Sequence, residues 1–333
     1  MSGTSLTPFI SSPGTVHKRL TRDLTILVLI LISLFLLLSY FYSKQIQQDI
    51  SIAIIESAEK MVINKNNRIF EPISNNLKLS RKWAELESLT PSKFEVFNKR
   101  FIPILETLPN ISSVILASSE GKEYFFTKQD DNWLSRHIDQ DQYGSSKAQW
   151  RLWNSNNQLI KEWQEETDYQ PDTRPWYKLG MSFDTKHEIK WTTPYSFYTQ
   201  QVPGITGVSK WKDNNNIQYM LAFDVTLSDI SKSISTATVN PNDSAFLISP
   251  IGEIILPPGK GNHPVVKGST VTGSLYSPGS NQSNYVIFDS VNHWIKQKRP
   301  LNKPASFTRN GQRWWYKIFV LESYQQSIYS GVI

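Results

Sequence analysis

From Leu24 to Ser43 the sequence runs without a charged side chain and is dominated by Leu and Ile. Crossing a hydrocarbon core takes about 20 residues of helix, and a helix satisfies its own backbone hydrogen bonds where no water is available. A spanning helix over 24–43 is therefore expected. His17, Lys18, Arg19 and Arg22 precede it, and Tyr40, Phe41 and Tyr42 close it. This charge bias and aromatic belt place residues 1–23 in the cytoplasm and everything after Lys44 outside. A cleaved signal peptide is the competing reading, but the run is long for one and its exit lacks a small-x-small cleavage pattern.

Beyond that segment, Ile46, Ile50, Ile54, Ala58 and Met61, then Ile69, Ile73 and Leu77, recur at helical spacing with polar residues between them. The spacing predicts a stalk helix over 44–90, kinked at Pro72. Its apolar stripe serves either as core for the next module or as a homodimer seam.

The remainder repeats one design. Val114–Phe126 and Ala245–Pro257 each read as strand, glycine turn, strand, with Gly121 and Gly252 at the same place, where a tight hairpin wants positive φ. Each half has a later apolar and aromatic strand, Tyr219–Leu227 and Arg313–Leu321. Two related antiparallel α+β modules are expected, with a boundary near Leu227 to Val239 and a linking helix capped by Thr226 or Ser228. The stretch from Gly259 to Ser283, rich in Gly, Pro, Ser and Asn, reads as a loop of the second module.

Between these strands, Tyr169-Gln-Pro-Asp-Thr-Arg-Pro-Trp-Tyr177 gathers a fixed cation, an indole and two phenols. Arg174 offers a planar fork of donors to a carboxylate. Trp176, Tyr177 and Tyr169 offer ring faces and hydroxyls to an ammonium or an aliphatic stem. The chemistry fits a small zwitterion. The bland alternative for Arg174 is a surface ion pair with Asp172 or Asp168.

The pattern Tyr-x4-Arg-x-Trp-Tyr resembles the amino-acid-binding signature of double Cache (dCache) domains, the periplasmic sensor modules of bacterial receptors. The resemblance implies a long helix carrying two PAS-like antiparallel-sheet modules: a membrane-distal, ligand-binding one over 91–228 and a membrane-proximal one over 229–323. It also implies that an acidic residue on a later strand meets the ligand ammonium, and Asp224 in Tyr219–Leu227 is the matching position. Tyr195 and Phe197, by the same resemblance, border the side-chain end of the pocket. One departure is that the family's Pro-Tyr strand often carries another acidic residue soon after the tyrosine, whereas Ser196, Phe197 and Tyr198 follow Pro194-Tyr195 here. The ammonium would have fewer anionic partners.

Other function classes find little support. Cysteine is absent from the 333 residues, which excludes disulfides, thiolate catalysis and Cys-based zinc sites. The five histidines, His17, His137, His187, His263 and His293, are dispersed, so no metal and no cofactor are expected. A net charge of +6 spread along the chain argues against nucleic acid, and Lys296-Gln-Lys-Arg299 reads as a solvated loop. Glu165, Glu166 and Asp168 are the only carboxylates worth offering to an enzyme, and no nucleophile elbow, zinc-protease helix or phosphate loop accompanies them. The expectation is a single-pass protein of the bacterial inner membrane. It would bind an amino acid or amine outside as the input part of a receptor, with residues 324–333 beginning a possible return helix and the output module absent from the chain. The alternatives are a membrane-tethered binding or scaffold protein and a periplasmic hydrolase.

Overall fold

The computed structural model describes residues 13–183, 188–235, 244–250, 252, 254–256, 282–321 and 328–333. The chain divides into two units, Met1–Ile54 and Ile55–Ile333. Helix α1 (Pro13–Leu86) begins in the first, where Leu24, Leu29, Phe35 and Phe41 are 59–69% exposed. Apolar area in water costs roughly 25 cal/mol per Å². This stretch of α1 is long and apolar enough to cross a membrane.

In the second unit, α1 buries Ile55, Ala58, Val62, Ile69, Phe70, Ile73, Leu77 and Ala84, and Pro72 sits inside the helix without ending it. Of the predicted stripe, Ala58, Ile69, Ile73 and Leu77 are core, whereas Ile46, Ile50, Ile54 and Met61 are exposed in the single chain. The reason is geometric: a strict four-residue repeat overshoots a 3.6-residue turn and walks around the helix. The buried stripe instead mixes steps of three and four. Helix α2 (Phe94–Thr107) adds Phe97, Phe101, Ile104 and Leu105 to the same core.

The first sheet is antiparallel and is built from β1 (Ser113–Ser118), β2 (Glu123–Gln129), β3 (Asn132–Ile138), β4 (Lys147–Trp153), β5 (Leu159–Glu166), β6 (Lys190–Trp191), β7 (Tyr195–Ser196), β8 (Pro203–Lys212) and β9 (Gln218–Thr226). Its order is β5-β4-β3-β2-β1-β9-β8-β6, with β7 paired to β8. Period-two alternation sorts the central strands. Val114, Leu116, Leu221 and Phe223 join the core under α1 and α2, whereas Ile115, Ala117, Met220 and Ala222 line the other face. Helix α4 (Pro175–Ser182) supplies Trp176 and Tyr177 to the cluster on that face; the short α3 (Gln140–Tyr143) links β3 to β4.

Helix α5 (Leu227–Ser235) leads onward, and Thr226 caps it: its Oγ1 accepts from the Asp229 amide at 3.1 Å. The second sheet comprises β10 (Ala245–Ile248), β11 (Ile254–Leu256), β12 (Ala305–Arg309), β13 (Gln312–Val320) and β14 (Tyr329–Val332), in the order β11-β10-β14-β13-β12. Helix α6 (Gln282–Lys296) packs Val286, Ile287, Val291 and Trp294 with it. Gly121 and Gly252 have φ of 78° and 93°, as both hairpins require.

Two expectations are corrected here. Of residues 324–333, expected to begin a return helix, 324–327 lie outside the described residues, and Tyr329–Val332 is instead a strand between β10 and β13 that closes what would be two open sheet edges. The repeat also shifts by one strand: β14 beside β10 takes the place of β9 beside β1, so Gln312–Val320 corresponds to β8 rather than to β9. Gly331 belongs to this arrangement, since a Cβ there would fall within the Phe246 ring. Of the predicted loop, residues 259–281 lie outside the described residues, while Gln282 and Ser283 open α6.

Candidate ligand site

Two prolines place Arg174. Pro171–Thr173 forms a 3₁₀ turn whose Pro171 carbonyl accepts from the Arg174 amide at 3.0 Å, and Pro175 opens α4. A residue before proline is driven out of the helical region, and Arg174 is extended at φ −79°, ψ 143°. Its side chain is thereby set apart from the helix it caps. Nη2 donates to the Ser196 carbonyl at 2.7 Å, and the Ser196 hydroxyl is buried without a partner among the described residues.

Strand register places Asp224. It pairs with Ser113 on β1 and with Thr206 on β8, so all three side chains share one face. Ser113 Oγ donates to Oδ2 at 2.5 Å and Thr206 Oγ1 to Oδ1 at 2.6 Å, while the Tyr195 hydroxyl lies 2.6 Å from Thr206 Oγ1. Asp224 is 2% exposed. Burial raises its pKa from 3.8 to about 6, against the lowering effect of the two hydroxyls and of Arg174. A carboxylate held this far out of water is under-solvated when ionised and is best relieved by a cation.

Arg174 and Asp224 line one small cavity of about 20 Å³, room for about one water molecule, walled by Ile115, Phe125, Arg136, Tyr169, Trp176, Tyr195, Phe197, Tyr198, Thr199 and Gln200. A recess of about 350 Å³ shares Tyr169, Arg174, Phe197 and Tyr198 with it and adds Asp168 and Ser196. Among the described residues Arg174 has no ion pair with Asp172 or Asp168, the surface alternative. Tyr177 departs from expectation: next to Trp176 on a helix it points about 100° away, and its hydroxyl donates to the Ser118 carbonyl at 2.9 Å, behind the cavity rather than in its wall. Tyr195 also departs, because its hydroxyl sits at the Asp224 end and not at a side-chain end.

The sequence reading missed a second charged pair. Arg136 on β3 and Glu123 on β2 are 1% and 0% exposed and joined at 2.8 Å. Tyr169, whose phenol burial pushes well above its ordinary pKa, donates to the other Glu123 oxygen. The Arg136 guanidinium lies 3.6 Å from the Tyr169 ring centroid and 5.1 Å from that of Phe125. The legible signal was charge inside otherwise buried strands, Arg136 between Ser135 and His137 and Glu123 opening β2.

Phe197 forms a wall only because position 204 is glycine. A Cβ on Gly204 would fall within the Phe197 ring and 2.7 Å from the Val225 carbonyl oxygen. Gly204→Ala is expected to push that ring into the cavity, lowering stability by about 1–3 kcal/mol and ligand affinity at least tenfold; thermal unfolding and calorimetry on the same preparation check both.

No family model matches the sequence. Among curated proteins, the methyl-accepting chemotaxis protein McpC of Bacillus subtilis is 27% identical over 104 residues, which is 31% of this chain and 16% of that protein's length. Among solved structures, the ligand-binding domain of the Pseudomonas aeruginosa amino acid chemoreceptor PctB in complex with L-Arg superposes with a TM-score of 0.50, at 14% identity over 86% of this chain and 94% of that one. The extracellular domain of soHK1S-Z6, described as a histidine kinase, gives 0.52 at 10% identity, over 88% and 96%. The fold is thus shared with these two domains, and the resemblance to double Cache modules holds at the level of fold.

Proposed function

We propose that this chain is a membrane-anchored sensor that takes up an amino acid or related amine between the first sheet and α4. The observation that carries the reading is a guanidinium and a desolvated carboxylate facing one aromatic-walled cavity. Arg174 holds the ligand carboxylate bidentately, with the Ser196 hydroxyl beside it; Asp224 holds the ammonium, oriented by Ser113 and by the Tyr195–Thr206 chain. Trp176, Tyr169 and Phe197 enclose the stem. Ligand closure of this cavity favours one packing of the strands over another, and that free-energy difference is what a receptor transmits to its membrane helices. The first sheet module then lies membrane-distal and the second membrane-proximal, in a protein of the bacterial inner membrane with residues 1–23 cytoplasmic, pairing with a second copy through the stalk helix. The shared fold with the PctB domain supports the sensor reading.

The test is a thermal-shift screen of the full chain in nanodiscs against amino acids, amines, organic acids and purines, followed by calorimetry on the hits. A ligand that binds only the folded state raises its apparent stability. Arg174→Ala should weaken amino-acid binding tenfold or more, since a hydrogen bond to a charged group is worth roughly 1.5–3 kcal/mol and 1.4 kcal/mol is a decade. Unchanged affinity would remove Arg174 from the site.

A further inference from the structure

Two residues that line the same cavity carry hydrogen-bonding atoms left unmet among the described residues. Arg136 spends Nη2 on Glu123 and Nη1 on the Thr199 hydroxyl at 2.9 Å, while its Nε–H is buried with no partner among the described residues. Gln200 donates through Nε2 to the Ser112 carbonyl and to Thr127 Oγ1, at 3.3 and 3.2 Å. A carbonyl can only accept, so these bonds fix which end of the amide is nitrogen. That leaves Gln200 Oε1 as a buried acceptor with no donor among the described residues. Both side chains line the cavity that Arg174 and Asp224 face.

One orphan is a donor and the other an acceptor, and Glu123 already neutralises Arg136. Resting on the head-group assignment above, we infer that Arg136 and Gln200 select a ligand whose side chain ends in a carboxamide, its oxygen accepting from Arg136 Nε–H and its N–H₂ donating to Gln200 Oε1. An apolar side chain of the same reach would leave both groups buried and unmet, the situation in which polar sites discriminate most strongly. A carboxylate would satisfy Arg136 but set its second oxygen against Gln200 Oε1 and bring a net negative charge beside Glu123.

The experiment is calorimetry on the full chain in nanodiscs with L-glutamine, L-glutamate and L-norleucine, on the wild type and on Gln200→Leu. Gln200 lies in a partly exposed turn and not in the buried ion pair, so its substitution leaves the Arg136–Glu123 pair intact. Glutamine is expected to bind at least tenfold tighter than either analogue (about 1.4 kcal/mol). In Gln200→Leu its affinity should fall about tenfold while that of norleucine stays or rises. Norleucine or glutamate binding as tightly as glutamine, or a Gln200→Leu change equal for all three ligands, overturns this assignment and leaves the head-group reading standing. Binding of none of the three overturns this assignment, and the screen of amino acids and amines described above decides the head-group reading separately.

Discussion

Asp224→Asn is expected to make the ligand-free protein more stable at neutral pH while weakening its hold on an amino acid at least a hundredfold. The stability half follows from the direction of the pKa shift. Asp224 rises from 3.8 to about 6 in the fold, so the folded state prefers the neutral acid. The group's favourable contribution is complete below the unfolded pKa and is lost as pH climbs from about 4 through about 6. At pH 7 the ionised, buried carboxylate therefore burdens the fold by about 3 kcal/mol. An amide of the same shape removes that burden: the Thr206 hydroxyl still donates to its oxygen, and the Ser113 hydroxyl can turn to accept from its nitrogen. Thermal unfolding by tryptophan fluorescence should show the variant ahead by several degrees at pH 7–8, with the gap closing near pH 4.

The binding half has the opposite sign. Removing one partner of a desolvated charge pair costs 2–5 kcal/mol or more. For the wild type, affinity for an amine-bearing ligand should be flat above about pH 7 and fall toward tenfold per unit below about pH 6, because the ligand must displace a proton from Asp224. The variant should show no such slope. Equal affinity in variant and wild type would sink the ammonium assignment, and a variant less stable at pH 8 would show that the carboxylate is well accommodated after all.

What could be seen beforehand depended on how each residue is placed. Arg174 and Trp176 were legible because local chain chemistry sets them: two prolines bracket the arginine, and helix geometry orients the indole. Local chemistry also misled, since Tyr177 shares the motif yet faces the strand behind it. Asp224 could be aligned by its spacing, but its partners could not, because Ser113 and Thr206 reach it through strand register across 111 and 18 residues. Arg136 and Glu123 were legible only as charges inside apolar strands; their pairing was not, for the same reason. The segment 329–332 was misjudged because a short, mildly apolar run carries no periodicity of its own; only the open edges of β10 and β13 define it as a strand.

The Arg136–Glu123 pair carries the largest expected stability effect, and its asymmetry makes it diagnostic. Both groups are essentially without solvent, so deleting one strands the other at about 3–5 kcal/mol. At roughly 2–4 °C per kcal/mol for a folded unit of this size, Glu123→Ala should unfold on the order of 10 °C early. That deficit should persist across pH, since a guanidinium cannot shed its proton. Arg136→Met should cost about as much at pH 8 but recover on acidification, because the stranded Glu123 can take up a proton and become neutral. The double variant Arg136→Met with Glu123→Gln keeps an acceptor for the Tyr169 hydroxyl and carries no buried charge, and should regain most of the lost stability, giving a coupling that a double-mutant cycle reads directly. The double variant separates scaffold from recognition. If the pair matters only for folding, the restored protein will rank glutamine and norleucine as the wild type does. If Arg136 Nε–H reads the ligand side chain, the protein will fold, still require Arg174 and Asp224 for binding, and lose its preference between the two.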